Sequence, residues 1–390
     1  MSYIDGYFDR NSDIIRIVER QNKERVFKEY PIKYTFYHED PGGKYKSTTG
    51  KPLNRIVSKN TKDFHKELAI NRNKTLFESD INPIFQCLSE NYLNQNAPDL
   101  NIAFFDIEAD FDPEKGFSQP SDPFMPITAI TVSLQWLNTM VTFAIPPKTM
   151  GIEEAKELTK GIENVYLYKD EADMLKAFLD IIQDADVISG WNSEGYDLPY
   201  IINRIKKVMS KDDTRRLCLW KQMPKKRTFE RYGREQETYD LVGRVHLDSL
   251  ELYRKYTYEE RHSYRLDAIG EHEIGERKTV YEGSLDQLYN QDFRTFIEYN
   301  RQDTALLDKL DRKLRFIALS NELAHANTVL LQTTLGAVAV TEQAIINEAH
   351  RRGVQVPNRP KRDEDSTTAA GAYVAYPRKG LHSWIGSMDI

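Results

Sequence analysis

Cysteine is nearly absent from this 390-residue chain, which carries only Cys87 and Cys218. Neither has a partner at metal-ligand spacing, so they read as small core fillers suited to a reducing cytoplasm. Long apolar runs are missing too: none approaches the roughly 18 residues a membrane helix needs. The opening MSYIDGYFDRNSD has no basic segment followed by an apolar one, so no secretory signal is visible. A phosphate-binding loop is also lacking. The stretch from Pro41-Gly42-Gly43-Lys44 to Gly50-Lys51-Pro52 has suitable residues at the wrong spacing, and Pro52 stands where a Ser or Thr would bind magnesium. It reads as a turn-rich connection.

What is present is globular. Apolar residues make up 40% and aromatics 11% of the chain, and its length predicts two or three domains, each with its own core. The formal net charge of −6 argues mildly against a nucleic-acid partner, but the average hides an asymmetry. Between Arg204 and Arg234 twelve basic residues face three acidic ones, a net +9. That segment could be a phosphate-facing surface or an ordinary solvated helix face and loop.

Residues 1–98 alternate β-like runs (IIRIVERQ, RVFKEYPIKYTFYH) with polar loops, broken by a short helical stretch near Asp63–Ile70. SDINPIF reads as a helix start or turn. From about 99 the order becomes β-β-β-α-β-α. Asn101–Glu108 is a strand whose period-two face holds Ile102, Phe104, Asp106 and Glu108. ITAITVSLQW and MVTFAIPP form an antiparallel meander, followed by VYLY and a helix from about Lys169 to Asp184. A short strand, Val187 to Asn192, precedes a helix opened by Asp197-Leu198-Pro199. Residues 225–247 alternate again, with Arg231-Tyr232-Gly233-Arg234 at a hairpin tip that could probe nucleic-acid strands. Phe296, Tyr299, Asp303, Leu307, Leu310, Leu314 and Ile317 form one stripe of one helix, and Phe316 to Arg352 continue as helix. PNRPKRDEDSTT is a linker, and GAYVAYPRKGLHSWIGSMDI resumes strand-like alternation.

Four acids stand out against this background: Asp106, Glu108, Asp197 and Asp303. Each lies beside or inside an apolar run, where an ionised carboxylate needs a partner. A divalent cation suits several carboxylates at once, which points to metal-assisted phosphodiester chemistry. Taken singly, Asp-x-Glu also occurs on surface strands, and Asp197 could merely cap a helix. Asp303 has no such explanation, because it sits on an apolar helical stripe with Tyr299 one turn before it. In-line hydrolysis needs an activated hydroxide and a stabilised leaving 3′-oxygen. Two Mg²⁺ ions roughly 3.5–4 Å apart supply both, so no histidine base is required.

FDIE, GWNSEGYDLPYIINR and YNRQD resemble the three exonuclease motifs of the family B DNA polymerases, most closely the T-even-type phage enzymes. LDSLELYRKY, SYRLDAIGE and the GAYV…SMDI stretch resemble others of their segments, so nearly the whole chain is covered. The resemblance implies an α/β, RNase H-like exonuclease domain of the DEDDy kind over 99–316. It also implies a β-rich α+β N-terminal domain (1–98, completed by a helical return at 317–358) and a truncated palm segment at 359–390. It implies 3′→5′ removal of nucleotides from single-stranded or frayed primer DNA with two Mg²⁺, which Mn²⁺ replaces, in the cytoplasm.

By residue, the resemblance makes Asp106 bridge both metals. Glu108 and Asp303 hold the metal that activates water, Asp197 binds the second, and Tyr299 orients the water. Asn192, Lys278, Phe105, Arg231 and Arg234 become candidate substrate contacts. Asp389 matches the first polymerase aspartate, so the implied partners are primer-template DNA, the missing polymerase half and a sliding clamp. Where the family often has a tyrosine before a small glycine turn, this chain has Ala369-Ala370-Gly371-Ala372. A non-catalytic DNA-binding scaffold and a nuclease acting on RNA remain as alternatives.

Overall fold

The computed structural model describes residues 2–231, 233–360 and 375–386. The side chains of Arg231 and Arg234, the turn at 369–372 and Asp389 lie outside the described residues.

The chain begins with an antiparallel three-stranded sheet, β1 (Tyr3–Asp9), β2 (Ile14–Gln21) and β3 (Glu24–Pro31). Next come β4 (Tyr34–Glu39), β5 (Tyr45–Ser47), β6 (Pro52–Ser58), α1 (Thr61–Ile70), β7 (Leu76–Phe77) and α2 (Pro83–Tyr92). The expected turn-rich connection is the β5–β6 region, where Lys46 pairs with Pro52. SDINPIF starts α2: the Asn82 side chain accepts from the Ile84 N–H, and Pro83 occupies a position whose N–H would have no helical partner.

The central sheet follows. Its strands are β8 (Ile102–Ala109), β9 (Ile127–Leu134), β10 (Thr139–Ala144), β11 (Val165–Leu167), β12 (Val187–Gly190) and, beyond the hairpin β13 (Lys225–Arg231) and β14 (Arg234–Asp240), β15 (Val245–Asp248). They run in the order β11-β10-β9-β8-β12-β15. β8, β9 and β10 are antiparallel neighbours, whereas β12 lies parallel to both β8 and β15. The helices among them are α3 (Ile152–Leu158), α4 (Glu171–Ile181) and α5 (Asp197–Val208). Of these, α3 was not expected from the residue pattern. After β15 come α6 (Ser249–Tyr256), α7 (Leu266–Ile274), α8 (Leu285–Gln291) and α9 (Phe293–Leu314), then α10 (Phe316–Asn327), α11 (Ala337–Arg351) and β16 (Val354–Gln355).

Both faces of the central sheet are covered. Phe105 and Ile107 pack under Met174, Phe178, Ile201 and Ile205 of α4 and α5. On the other face Phe104 packs with Leu306, Leu307 and Leu310 of α9 and with Leu252 and Leu266. Burying each such side chain contributes about 1.5–3 kcal/mol. One β8 face therefore ends in core and the other leads to Asp106 and Glu108.

Two expectations about the helices are corrected. The apolar stripe ends at Leu314: Arg315 is left-handed (φ 54°) and caps α9, so Ile317 belongs to α10. The segment from Phe316 to Arg352 is likewise two helices, because Thr328 is left-handed and α11 begins only at Ala337. Neither left-handed residue is the glycine that would have signalled a helix end. The described residues 375–386 form no strand, and their Tyr376, Leu381 and Trp384 are exposed.

The three-stranded sheet is fastened to the central sheet by charge. Arg20 donates to both oxygens of the fully buried Asp186 (2.6 and 2.7 Å), and Arg25 and the Asn101 N–H add bonds of 3.1 and 3.0 Å. The strand β16 lies parallel to β5 and completes the sheet ordered β16-β5-β6-β4-β7.

Candidate active site

Three of the four acids meet over the end of β8. Alternation along the strand points Asp106 and Glu108 to the α9 side, and α9 crosses that face so that Asp303 reaches them. One ligand oxygen from each of Asp106, Glu108 and Asp303 lies within 4.8 Å of the others. Asp197 comes from the opposite side. It occupies the first position of α5 instead of capping it, and its Oδ1 accepts from the Ile107 N–H at 3.4 Å, between the two β8 acids.

The basic group expected near the site is there. Lys278 Nζ donates to Asp303 Oδ2 and lies 3.3 Å from the Tyr299 hydroxyl. Asp303 Oδ1 is buried and has no hydrogen-bond partner among the described residues. Asn300, three residues before Asp303 on α9, donates to Asp106 Oδ2 at 2.8 Å and accepts from Thr131 Oγ1 at 2.5 Å, which orients the carboxylate. Asn300 was missed in the sequence. Its spacing from Asp303 on a buried helix face was the available signal.

The electrostatics follow from crowding negative charge into a place shielded from water. Burial, then Asp303, Glu108 and Asp197, hold the Asp106 carboxyl well above the usual carboxylate range. Burial, then Asp303, pushes Glu108 up to about 8, and burial pushes Asp197 up to about 7. Asp303 is raised by burial while Lys278 pulls it back. One ammonium does not balance four carboxylates. An all-oxygen donor set with one buried oxygen unpartnered fits a hard divalent cation such as Mg²⁺ or Mn²⁺.

Asn192 sits on the turn between β12 and α5 in the left-handed region (φ 61°). The turn is tight: a Cβ at Gly190 would stand 2.9 Å from the Phe105 carbonyl oxygen. Asp248, also missed in the sequence, locks it by accepting from the backbone N–H groups of Asn192 (3.0 Å), Glu194 (3.0 Å) and Leu250 (2.9 Å). Ser193 is hydrogen-bonded to His246 Nε2 at 2.9 Å, and burial pushes that imidazole down to about 3, so it stays neutral.

Phe105 is a correction. It is 1% exposed on the opposite face of β8 from Asp106 and packs beside Phe178, so it is not available to a substrate. The basic segment is partly neutralised by acids elsewhere, mostly in pairs at the surface. Arg204 is buried against Glu171. Arg216 pairs with Asp180, Arg227 with Glu194 and Asp240, and Lys226 with Glu237. The hairpin exists as expected, with Arg231 opposite Arg234.

Residues 53–269 match the model of the DNA polymerase family B exonuclease domain, and the chain belongs to that family. It is 26% identical to the DNA-directed DNA polymerase of Escherichia phage RB69 across 96% of its own length, and 24% identical to that of Enterobacteria phage T4 across 97%. It spans 44% of the length of each phage relative. The DNA polymerase delta catalytic subunit of Bos taurus is 31% identical over 56% of the chain. The likeness to the T-even-type enzymes thus runs nearly end to end, as the motifs indicated. No helix among the described residues is long and apolar enough to cross a membrane.

Proposed function

We propose that this chain is the N-terminal and exonuclease part of a replicative family B DNA polymerase, and that it proofreads by removing nucleotides from the 3′ end of single-stranded or frayed primer DNA. The observation that carries the reading is the cluster of Asp106, Glu108 and Asp303 oxygens within 4.8 Å, beside Lys278 and Tyr299. Its fold would be RNase H-like and of the DEDDy kind, with the division 1–98, 99–316 and 359–390. The pairing of β16 with β5 supports the return of 317–358 to the N-terminal part.

Asp106, Glu108, Asp197 and Asp303 would hold two Mg²⁺. When bound, the ions supply an activated hydroxide and neutralise the leaving 3′-oxygen. Tyr299, whose hydroxyl is steered by Lys278, orients the attacking water. Asn300 keeps Asp106 aimed at the reacting phosphate. The Asn192 turn, held by Asp248, positions the terminal nucleotide, and Lys278 offsets charge that develops on the phosphate.

Synthesis would need the fingers, thumb and remaining palm, in the same or a separate chain, with a sliding clamp as a further partner and the cytoplasm as the compartment. A 3′-labelled single-stranded DNA oligonucleotide with Mg²⁺ tests the reading. Label should be released by this chain and not by Asp106→Ala, and a matched RNA should survive. Absence of metal-dependent release would sink the proposal.

A further inference from the structure

A buried row of polar side chains runs away from the carboxylates across the central sheet. The register sets Asp106 of β8 opposite Thr131 of β9, and Thr131 opposite Thr142 of β10. Thr131, Thr142 and Asn300 are fully buried. The neighbouring row on the same face is Glu108, Ala129 and Ala144, whose small alanines let Phe296 and Ile297 of α9 settle onto the sheet. The opposite face of these strands is apolar, with Ile130, Val132, Val141 and Phe143. Valine would fill the space of either threonine without bringing a hydroxyl that burial makes costly. Two such hydroxyls in line with Asp106 therefore call for a reason.

Hydrogen bonds join the row into one chain, and its direction is forced. An ionised, metal-holding carboxylate only accepts. Asn300 must then turn its amide nitrogen to Asp106 Oδ2, at 2.8 Å, and its oxygen to Thr131. Thr131 Oγ1 spends its one proton on Asn300 Oδ1 at 2.5 Å. It is left to accept from Thr142 Oγ1 at 2.9 Å. Thr142 in turn accepts from Arg301 at 3.0 Å, and a guanidinium can only donate. Every bond thus points toward Asp106, and the far end is a half-buried positive charge on the residue after Asn300. Bonds aligned in this way polarise one another, so loss of a distant member weakens the last one.

We infer that Thr131, Thr142 and Arg301 are positioning residues that act through Asn300 to fix the Asp106 carboxylate in the orientation that holds a divalent cation. Among the described residues their hydrogen bonds reach Asp106 only by way of Asn300. Partners one step behind a metal ligand orient it and set its basicity. The inference rests on the exonuclease reading, which makes Asp106 a metal ligand.

The test is metal affinity. Mn²⁺ is titrated into the full chain, and the free ion is followed by electron paramagnetic resonance. Thr142→Val keeps the shape, removes the hydroxyl and should weaken Mn²⁺ binding about tenfold. Thr142→Ser, which keeps the hydroxyl, should recover most of that loss. Arg301→Met, at the half-buried end of the chain, should weaken binding in the same direction by about threefold. In 3′ nucleotide release, Thr142→Val should lower kcat about tenfold and leave KM for single-stranded DNA unchanged. Once Asn300→Leu has cut the chain, adding Thr142→Val should change Mn²⁺ affinity by less than about twofold. Two results would overturn the inference: Thr142→Val and Arg301→Met binding Mn²⁺ as wild type does, or Thr142→Val exerting its full effect on top of Asn300→Leu. Failure of the underlying reading looks different, since the wild-type chain would then release no 3′ nucleotide with Mg²⁺.

Discussion

Asp197→Asn should stabilise the metal-free protein, and only at high pH. In the folded chain burial raises the Asp197 carboxyl from 3.8 to about 7, with Asp248 adding to the rise and the Ile107 N–H opposing it. A folded pKa above the unfolded one gives stability that is fully present below pH about 4 and lost as pH rises through about 7. Three units at about 1.36 kcal/mol each set a ceiling of about 4 kcal/mol at pH 8. Relaxation and water entry would bring the measured cost to about half of that. Asparagine removes the titration, keeps the shape, and its Oδ1 can still accept from Ile107. Urea unfolding in EDTA should therefore find the variant more stable by about 2 kcal/mol at pH 8 and equal to wild type at pH 4. With millimolar Mg²⁺ the order should reverse, because the variant has lost a ligand. A variant no more stable than wild type at pH 8, or a gap that ignores pH, would refute this account of the cluster.

Other outcomes follow from the same geometry. Tyr299→Phe removes the hydroxyl beside Lys278 and should lower kcat for 3′ nucleotide release by about a hundredfold with KM nearly unchanged, as read in single-turnover assays. Asp248→Ala frees three backbone N–H groups and lets the Asn192 turn relax, so KM for single-stranded DNA should rise about tenfold and kcat fall less. Asp248→Asn, which retains one acceptor oxygen, should recover part of the loss. Asp186→Ala leaves Arg20 and Arg25 without their buried partner and should cost about 3–5 kcal/mol in thermal or urea unfolding, with the Asp106, Glu108 and Asp303 cluster untouched.

The acids were readable because two periodicities exposed them. Alternation put Asp106 and Glu108 on one strand face, and helical spacing put Asp303 on the stripe of α9. The same alternation places Phe105 on the other face, so proximity to the motif misled where the period did not. Asn300 and Asp248 were harder, since each matters through one fixed hydrogen-bond pattern that needs a partner distant in sequence. Asp248 serves Asn192 and Glu194, more than fifty positions away. The net charge of the basic segment was not legible for a related reason, because Glu171, Asp180 and Glu194, which pair with three of its arginines, lie outside it. The end of α9 was invisible because the left-handed residue there is Arg315, where a glycine would have announced the stop.

The short strand β16 has a consequence for how the protein is made. Lys46 and Ser47 pair with Val354 and Gln355, so an N-terminal sheet waits for an edge synthesised some three hundred residues later. At about 5–20 residues per second that interval is roughly 15–60 s on the ribosome. During it β5 has an open edge, the kind of backbone ladder that invites pairing with another chain. The six-stranded sheet can form meanwhile, because its strands β8 to β15 all lie between. The part translated first is thus among the last to be finished, and conditions that slow elongation should expose that edge for longer.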